Sequence, residues 1–144
     1  MGADRGLQTK PWVPEEYISI LAEIAATRHR QAAIHGDRAT MPDADPGWLA
    51  MKSKLGWRDH PEWIGDALAQ HYAAGDNTTS RARNRNQLEH DQIGGTWAGV
   101  ITEDFYTWLE AIGIAHGQGR PTTTRDATLQ LAARLLSYAE ALDR

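Results

Sequence analysis

The stretch Thr96-Trp97-Ala98-Gly99-Val100-Ile101-Thr102-Glu103-Asp104-Phe105-Tyr106-Thr107-Trp108-Leu109-Glu110-Ala111-Ile112 decides the fold. Trp97, Val100, Ile101, Phe105, Trp108, Leu109 and Ile112 recur every three or four residues, the spacing of one helical face. Thr96 follows the break Gly94-Gly95 and is suited to cap the helix. A second stripe, Leu129, Ala132, Ala133, Leu135, Leu136, Ala139 and Leu142, marks a helix over Thr124 to Arg144. The Gly-rich link from Ala115 to Pro121 makes the two an antiparallel hairpin.

Upstream, Pro14-Glu15-Glu16 reads as a helix start, with Pro near the first position and acids in the first turn. Tyr17, Ile20, Leu21 and Ile24 continue it to Ile34, and Gly36 stops it. Thr40 to Gly47 is a loop. Asp45-Pro46 opens a short helix that closes near Gly56. Pro61 begins another, with Trp63, Ile64, Leu68 and Tyr72 on one side and Gly75 as its stop. Asp76 to Asp91 is polar, and reads as a loop or a frayed helix. No alternating apolar pattern marks a strand. The expectation is an all-α bundle of four to six helices, with 1–13 as a flexible arm and 14–144 as a single helical domain.

Composition narrows the function. The chain has 144 residues, a formal net charge of −4 and no cysteine. An acidic balance lacks the positive field that nucleic-acid binding uses. Without cysteine there is no disulfide, thiolate nucleophile or zinc–thiolate site. No apolar run reaches the ~20 residues of a membrane span, and 1–14 lacks the apolar core of a signal peptide. A cytoplasmic protein with no membrane partner is expected. The six histidines show no His-x₃-His or His-Glu-x-x-His spacing, so a histidine metal site is not expected. The serines lie in no nucleophile elbow. Gly117-Gln118-Gly119 lacks the Lys-Ser/Thr of a Walker loop and reads as a turn. Arg81, Arg83 and Arg85 offer a phosphate contact or a solvated loop. Trp48, Trp57 and Trp63 offer base stacking or core and interface packing.

Facing helices can hold Mg²⁺ between carboxylates, because residues at i, i+3 and i+4 share a face and Mg²⁺ takes oxygen ligands. Glu103, Asp104, Glu110 and Asp126 are the acids so placed; an ordinary solvated face looks the same. The segment from Thr96 to Glu110 resembles the first core helix of MazG-like nucleotide pyrophosphohydrolases of actinobacteria and their phages, which carry a Trp, an apolar pair and Glu-Glu-x-x-Glu. Thr124-Arg125-Asp126-Ala127-Thr128-Leu129-Gln130-Leu131-Ala132-Ala133, continuing to Arg144, is similar to their closing helix. Ile20 to Ile24, Arg28, Arg30-Gln31 and His35-Gly36-Asp37 echo their opening helix. The resemblance covers about half the chain, and 41–91 lies outside it.

The resemblance implies a Mg²⁺-dependent hydrolase that cleaves the α–β phosphate bond of a nucleoside triphosphate. Glu103, Asp104 and Asp126 would hold metal, and Glu103 and Glu110 would serve catalysis. Gln31, His35, Arg125 and Gln130 would contact nucleotide. A homodimer or higher homo-oligomer is implied as well. The acid set is degenerate: the family's Glu-x-x-Glu falls on Asp104 and Thr107, and its Glu-x-x-Asp on Ala127 and Gln130. The alternative is therefore an inactive descendant that binds a nucleotide or a protein partner, as a phage or bacterial regulator would.

Overall fold

The computed structural model describes residues 14–36, 38, 40–54, 60–73, 78–118 and 121–144. The expected arm over 1–13, Trp57 and the Gly75 stop lie outside them. The described residues form six helices: α1 (Glu15–His35), α2 (Pro46–Lys54), α3 (Pro61–Ala73), α4 (Thr78–Ile93), α5 (Trp97–Gln118) and α6 (Pro121–Leu142). No strand occurs among them, so the all-α bundle holds. No described helix is long and apolar enough to cross a membrane.

The α5–α6 hairpin is the centre. Its antiparallel register is fixed by three bonds in sequence. Arg134 donates to Asp104 (2.9 Å), Trp108 Nε1 donates to Thr128 (3.0 Å), and Thr124 donates to the Ala111 carbonyl (3.3 Å). α1 lies along α6, α4 along α5, and α3 against both α4 and α5. Val100, Ala111 and Ala133 are buried in the hairpin and Trp97 at its open end, where its ring meets Tyr138 at 5.3 Å.

The start of α5 shows why Thr96 matters. Helix N-termini carry backbone N–H groups with no helical partner. Here the Trp97 and Ala98 amides donate to the carbonyls of Pro42 and Asp43 (3.0 and 2.8 Å). The Gly99 amide donates to Thr96 Oγ1 at 2.9 Å, the cap expected from sequence. The loop before α2 is thus stitched to the hairpin, and Tyr138 reinforces it by donating to Asp43 (3.0 Å).

Two boundaries differ from the sequence reading. α5 continues through the Gly-rich stretch to Gln118, and α6 begins at Pro121; a proline is tolerated in a first turn, where its missing N–H costs nothing. More consequential is α4. The polar segment expected as a loop or frayed helix is a 16-residue helix. It packs on α5 through Ala82, Asn86 and Glu89, a small and polar face. Gly94 and Gly95, at φ 83° and 101°, then reverse the chain, a conformation that favours glycine.

Candidate functional site

Two polar centres flank α5. The first lies between the late turns of α1 and α6. Gln31, only 6% exposed, donates from Nε2 to both the side chain and the carbonyl of Gln130 (2.8 and 3.1 Å). Its own Oε1 accepts no bond. Arg28 grips Glu140 through two nitrogens (3.2 and 2.7 Å). Arg134 is buried, with its Nε on Asp104. Arg28, Gln31, Arg134 and Glu140, with His35 and Arg38, line a cavity of about 30 Å³, which is more than one water needs and fits the polar tip of a ligand.

Positive charge gathers at this cavity. Arg38 makes no ion pair within 4.0 Å among the described residues. Burial first, and then Arg134, push its proton affinity down. Burial also lowers the His35 pKa, and Arg38 and Arg134 lower it further. Burial raises the Asp104 carboxyl above its ordinary value, against the pull of Arg134. Burial likewise raises Glu103, helped by neighbouring Asp104. An anion entering here would relieve the crowding of Arg38, Arg134 and His35.

The residues expected to serve chemistry separate into groups. Asp104 is engaged by Arg134, and Glu103 accepts a long bond from Asn86 (3.5 Å). Asp126 is exposed on α6, eight residues before Arg134 and so about 12 Å from that level along the helix. Glu110 is exposed on α5. Glu103, Asp104 and Asp126 therefore do not converge on one point, and this donor set does not fit a Mg²⁺ cage, which needs its oxygens around a single centre. Among the nucleotide candidates, Gln31 and His35 line the arginine-rich cavity and Gln130 anchors Gln31. Arg125 stands apart. It pairs with Glu23 (2.6 Å) at the rim of an apolar groove of about 740 Å³ that includes Ile20, Ile24, Ile112 and Leu129.

The second centre was not legible from sequence. Glu89, 2% exposed, accepts from Tyr72 (2.7 Å) and Thr96 (2.7 Å). The Tyr72 hydroxyl also accepts from the Asp45 amide (3.1 Å). Burial pushes this phenol up to about 12, so it stays protonated and can donate. Asp45, His71 and Glu89 each place one ligand-type atom within 4.8 Å of the other two. The three arginines of α4 divide between the centres: Arg85 and Arg81 act on His71, and Arg83 acts on Glu103. Trp48 lies against His71 at 4.9 Å, and Trp63 stacks on His60 at 3.8 Å.

The chain matches no protein-family model, no curated protein and no solved structure.

Proposed function

We propose that the chain binds a nucleotide through its phosphates, as a MazG-like protein that lacks the family's acidic Mg²⁺ cage. One observation carries this reading. Arg38 and the buried Arg134 converge with His35 on a cavity in which the buried Gln31 keeps a carbonyl oxygen without a donor. Guanidinium groups recognise phosphate oxygens in a planar, two-pronged manner. The Gln31 oxygen would accept from a ribose hydroxyl or a base amine. Base and sugar would lie at the mouth, since the cavity holds only a ligand's tip. With Asp104 tied to Arg134, binding is supported better than hydrolysis.

The test is calorimetry of the full chain with nucleoside mono-, di- and triphosphates, with and without Mg²⁺, alongside an assay for released pyrophosphate. Binding without turnover is expected, and Arg38→Gln should weaken it about 10–100-fold, since a hydrogen bond to a charged group contributes roughly 1.5–3 kcal/mol. Sustained pyrophosphate release dependent on Glu103 would restore the hydrolase reading. No binding of any nucleotide would end both.

The homo-oligomer is proposed on a separate ground. Phe105 and Leu135, both exposed on the central hairpin, line one apolar groove with Ile101 and Leu131, and exposed apolar surface of this kind marks interfaces. Light scattering at micromolar concentration should give a mass of at least two chains. A monomer would refute it.

A further inference from the structure

The junction of α2, α3 and α4 holds an arrangement that nucleotide binding does not use. Asp45 Oδ1 caps α2 by accepting from the Gly47 and Trp48 amides (3.0 and 3.4 Å). No hydrogen bond among the described residues engages its second oxygen. The His71 ring is held between Trp48 and the edge of Tyr72, both with centroids at 4.9 Å. Its Nε2 is buried and has no hydrogen-bond partner. Glu89 is fixed by Tyr72 and Thr96, but a carboxylate has about four acceptor sites, so capacity remains on both oxygens.

Two features set this apart from an ordinary buried polar network. A buried carboxylate requires a compensating cation or several donors. Neither Glu89 nor Asp45 has an Arg, Lys or His partner within 4.0 Å among the described residues. In addition, the imidazole next to both makes no bond through the nitrogen it buries. Two acids and an imidazole, contributed by three different elements, bring ligand-type atoms within 4.8 Å of one another.

We propose that Asp45, His71 and Glu89 form a binding site for a divalent transition-metal ion of the Zn²⁺ type. One imidazole with two carboxylates suits such an ion better than Mg²⁺ or Ca²⁺, which prefer oxygen alone. Bonds of 2.0–2.2 Å to a tetrahedral ion put ligand atoms about 3.4 Å apart, so atoms already within 4.8 Å need only small side-chain rotations. Each ligand is oriented by a second group: Asp45 by the α2 cap, Glu89 by Tyr72 and Thr96, and His71 by its aromatic neighbours. Such support is what keeps metal ligands in place. Three protein ligands leave a coordination position open. Arg85, Arg81 and Lys52 act electrostatically on His71, and this favours an anionic oxygen as the fourth ligand. The proposal does not rest on the nucleotide reading.

The experiment uses untagged full chain stripped with a chelator and titrated calorimetrically with Zn²⁺ and with Mg²⁺, with Co²⁺ as an optical probe. One Zn²⁺ per chain, little Mg²⁺ binding and a visible Co²⁺ band typical of four-coordination are expected. His71→Phe keeps the ring packing, and Asp45→Asn keeps the cap; each should lower Zn²⁺ affinity by roughly 10–100-fold. His116→Asn, on the far part of α5, should leave affinity unchanged. Circular dichroism of each variant separates lost binding from lost folding; if His71→Phe does not fold, Asp45→Asn decides. Absence of stoichiometric Zn²⁺ binding overturns the proposal, as does affinity that survives the site variants or falls equally in His116→Asn.

Discussion

Gly99 of α5 faces the Glu89 and Asn86 side chains of α4, and replacing it tests that packing directly. A Cβ at this position would lie 2.7 Å from Glu89 Oε1, 3.1 Å from Thr96 Oγ1 and 3.2 Å from Asn86 Oδ1. The first distance is shorter than van der Waals contact permits, and Glu89 is buried and cannot swing into solvent. The carboxylate must move, and the 2.7 Å bond from Thr96 lengthens or breaks. Losing a hydrogen bond to a charged group costs roughly 1.5–3 kcal/mol, and overpacking adds about 1–3 kcal/mol. Alanine's better helix propensity returns about 1 kcal/mol. Gly99→Ala is therefore expected to lose about 2–4 kcal/mol in urea unfolding. Gly113, on the same helix, has nothing within 4 Å of its Cβ position, so Gly113→Ala should gain about 0.5–1 kcal/mol. Both variants carry the same chemical change, so their difference isolates the contact with Glu89. Equal stability of the two, or a Gly99→Ala variant at least as stable as the parent, would refute the α4–α5 contact as described.

Tyr72→Phe removes the hydroxyl that bonds both Glu89 and the Asp45 amide. It should cost about 2–3 kcal/mol, measured by urea unfolding, and a change under about 0.5 kcal/mol would show the hydroxyl to be dispensable. Acidification should destabilise the chain. His35 and His71 hold protons less tightly folded than their ordinary 6.5, so stability is complete above pH 6.5 and is lost as pH drops from there toward their lowered values. Glu103 and Asp104 are raised by burial, so protonating them favours the folded chain and opposes the histidine effect. In chelator, the melting temperature should therefore hold above pH 6.5 and fall as the pH drops below it. A flat profile there, or one unaltered in the double variant His35→Asn/His71→Phe, counts against the assignment.

The hairpin and α1 were readable because they carry large apolar residues at helical spacing. α4 was not, for a definite reason. Its buried positions are Ala82 and Glu89, with Asn86 between them, so the face repeats at helical intervals in size and polarity rather than in hydrophobicity. A search for apolar periodicity passes over it. The signal that remained was indirect: Thr96 and Gly99 on α5 are small residues that allow another backbone close. Gln31 and His35 line the same cavity because both lie on α1, one turn apart. The separation of Asp126 from Asp104 was not visible, since a shared hairpin does not reveal which turns face each other. The convergence of Asp45, His71 and Glu89 was hidden for the same reason, each residue coming from a different element. Spacing rules detect ligands on one helix, not across three.

α1 makes its principal packing contact with α6 alone, and much of what fastens it is polar: Arg28 to Glu140, Arg125 to Glu23 and Gln31 to Gln130. Half-exposed ion pairs of this kind hold weakly and are screened by salt. The first helix is thus a latch. Its fastening to α6 is therefore weakened as salt rises. The arginine-rich cavity is shared between this latch and α6, so the proposed phosphate ligand, bridging Arg38 to Arg134, would fasten the latch, and ionic strength would compete twice, once with the ligand and once with the ion pairs that hold α1 down.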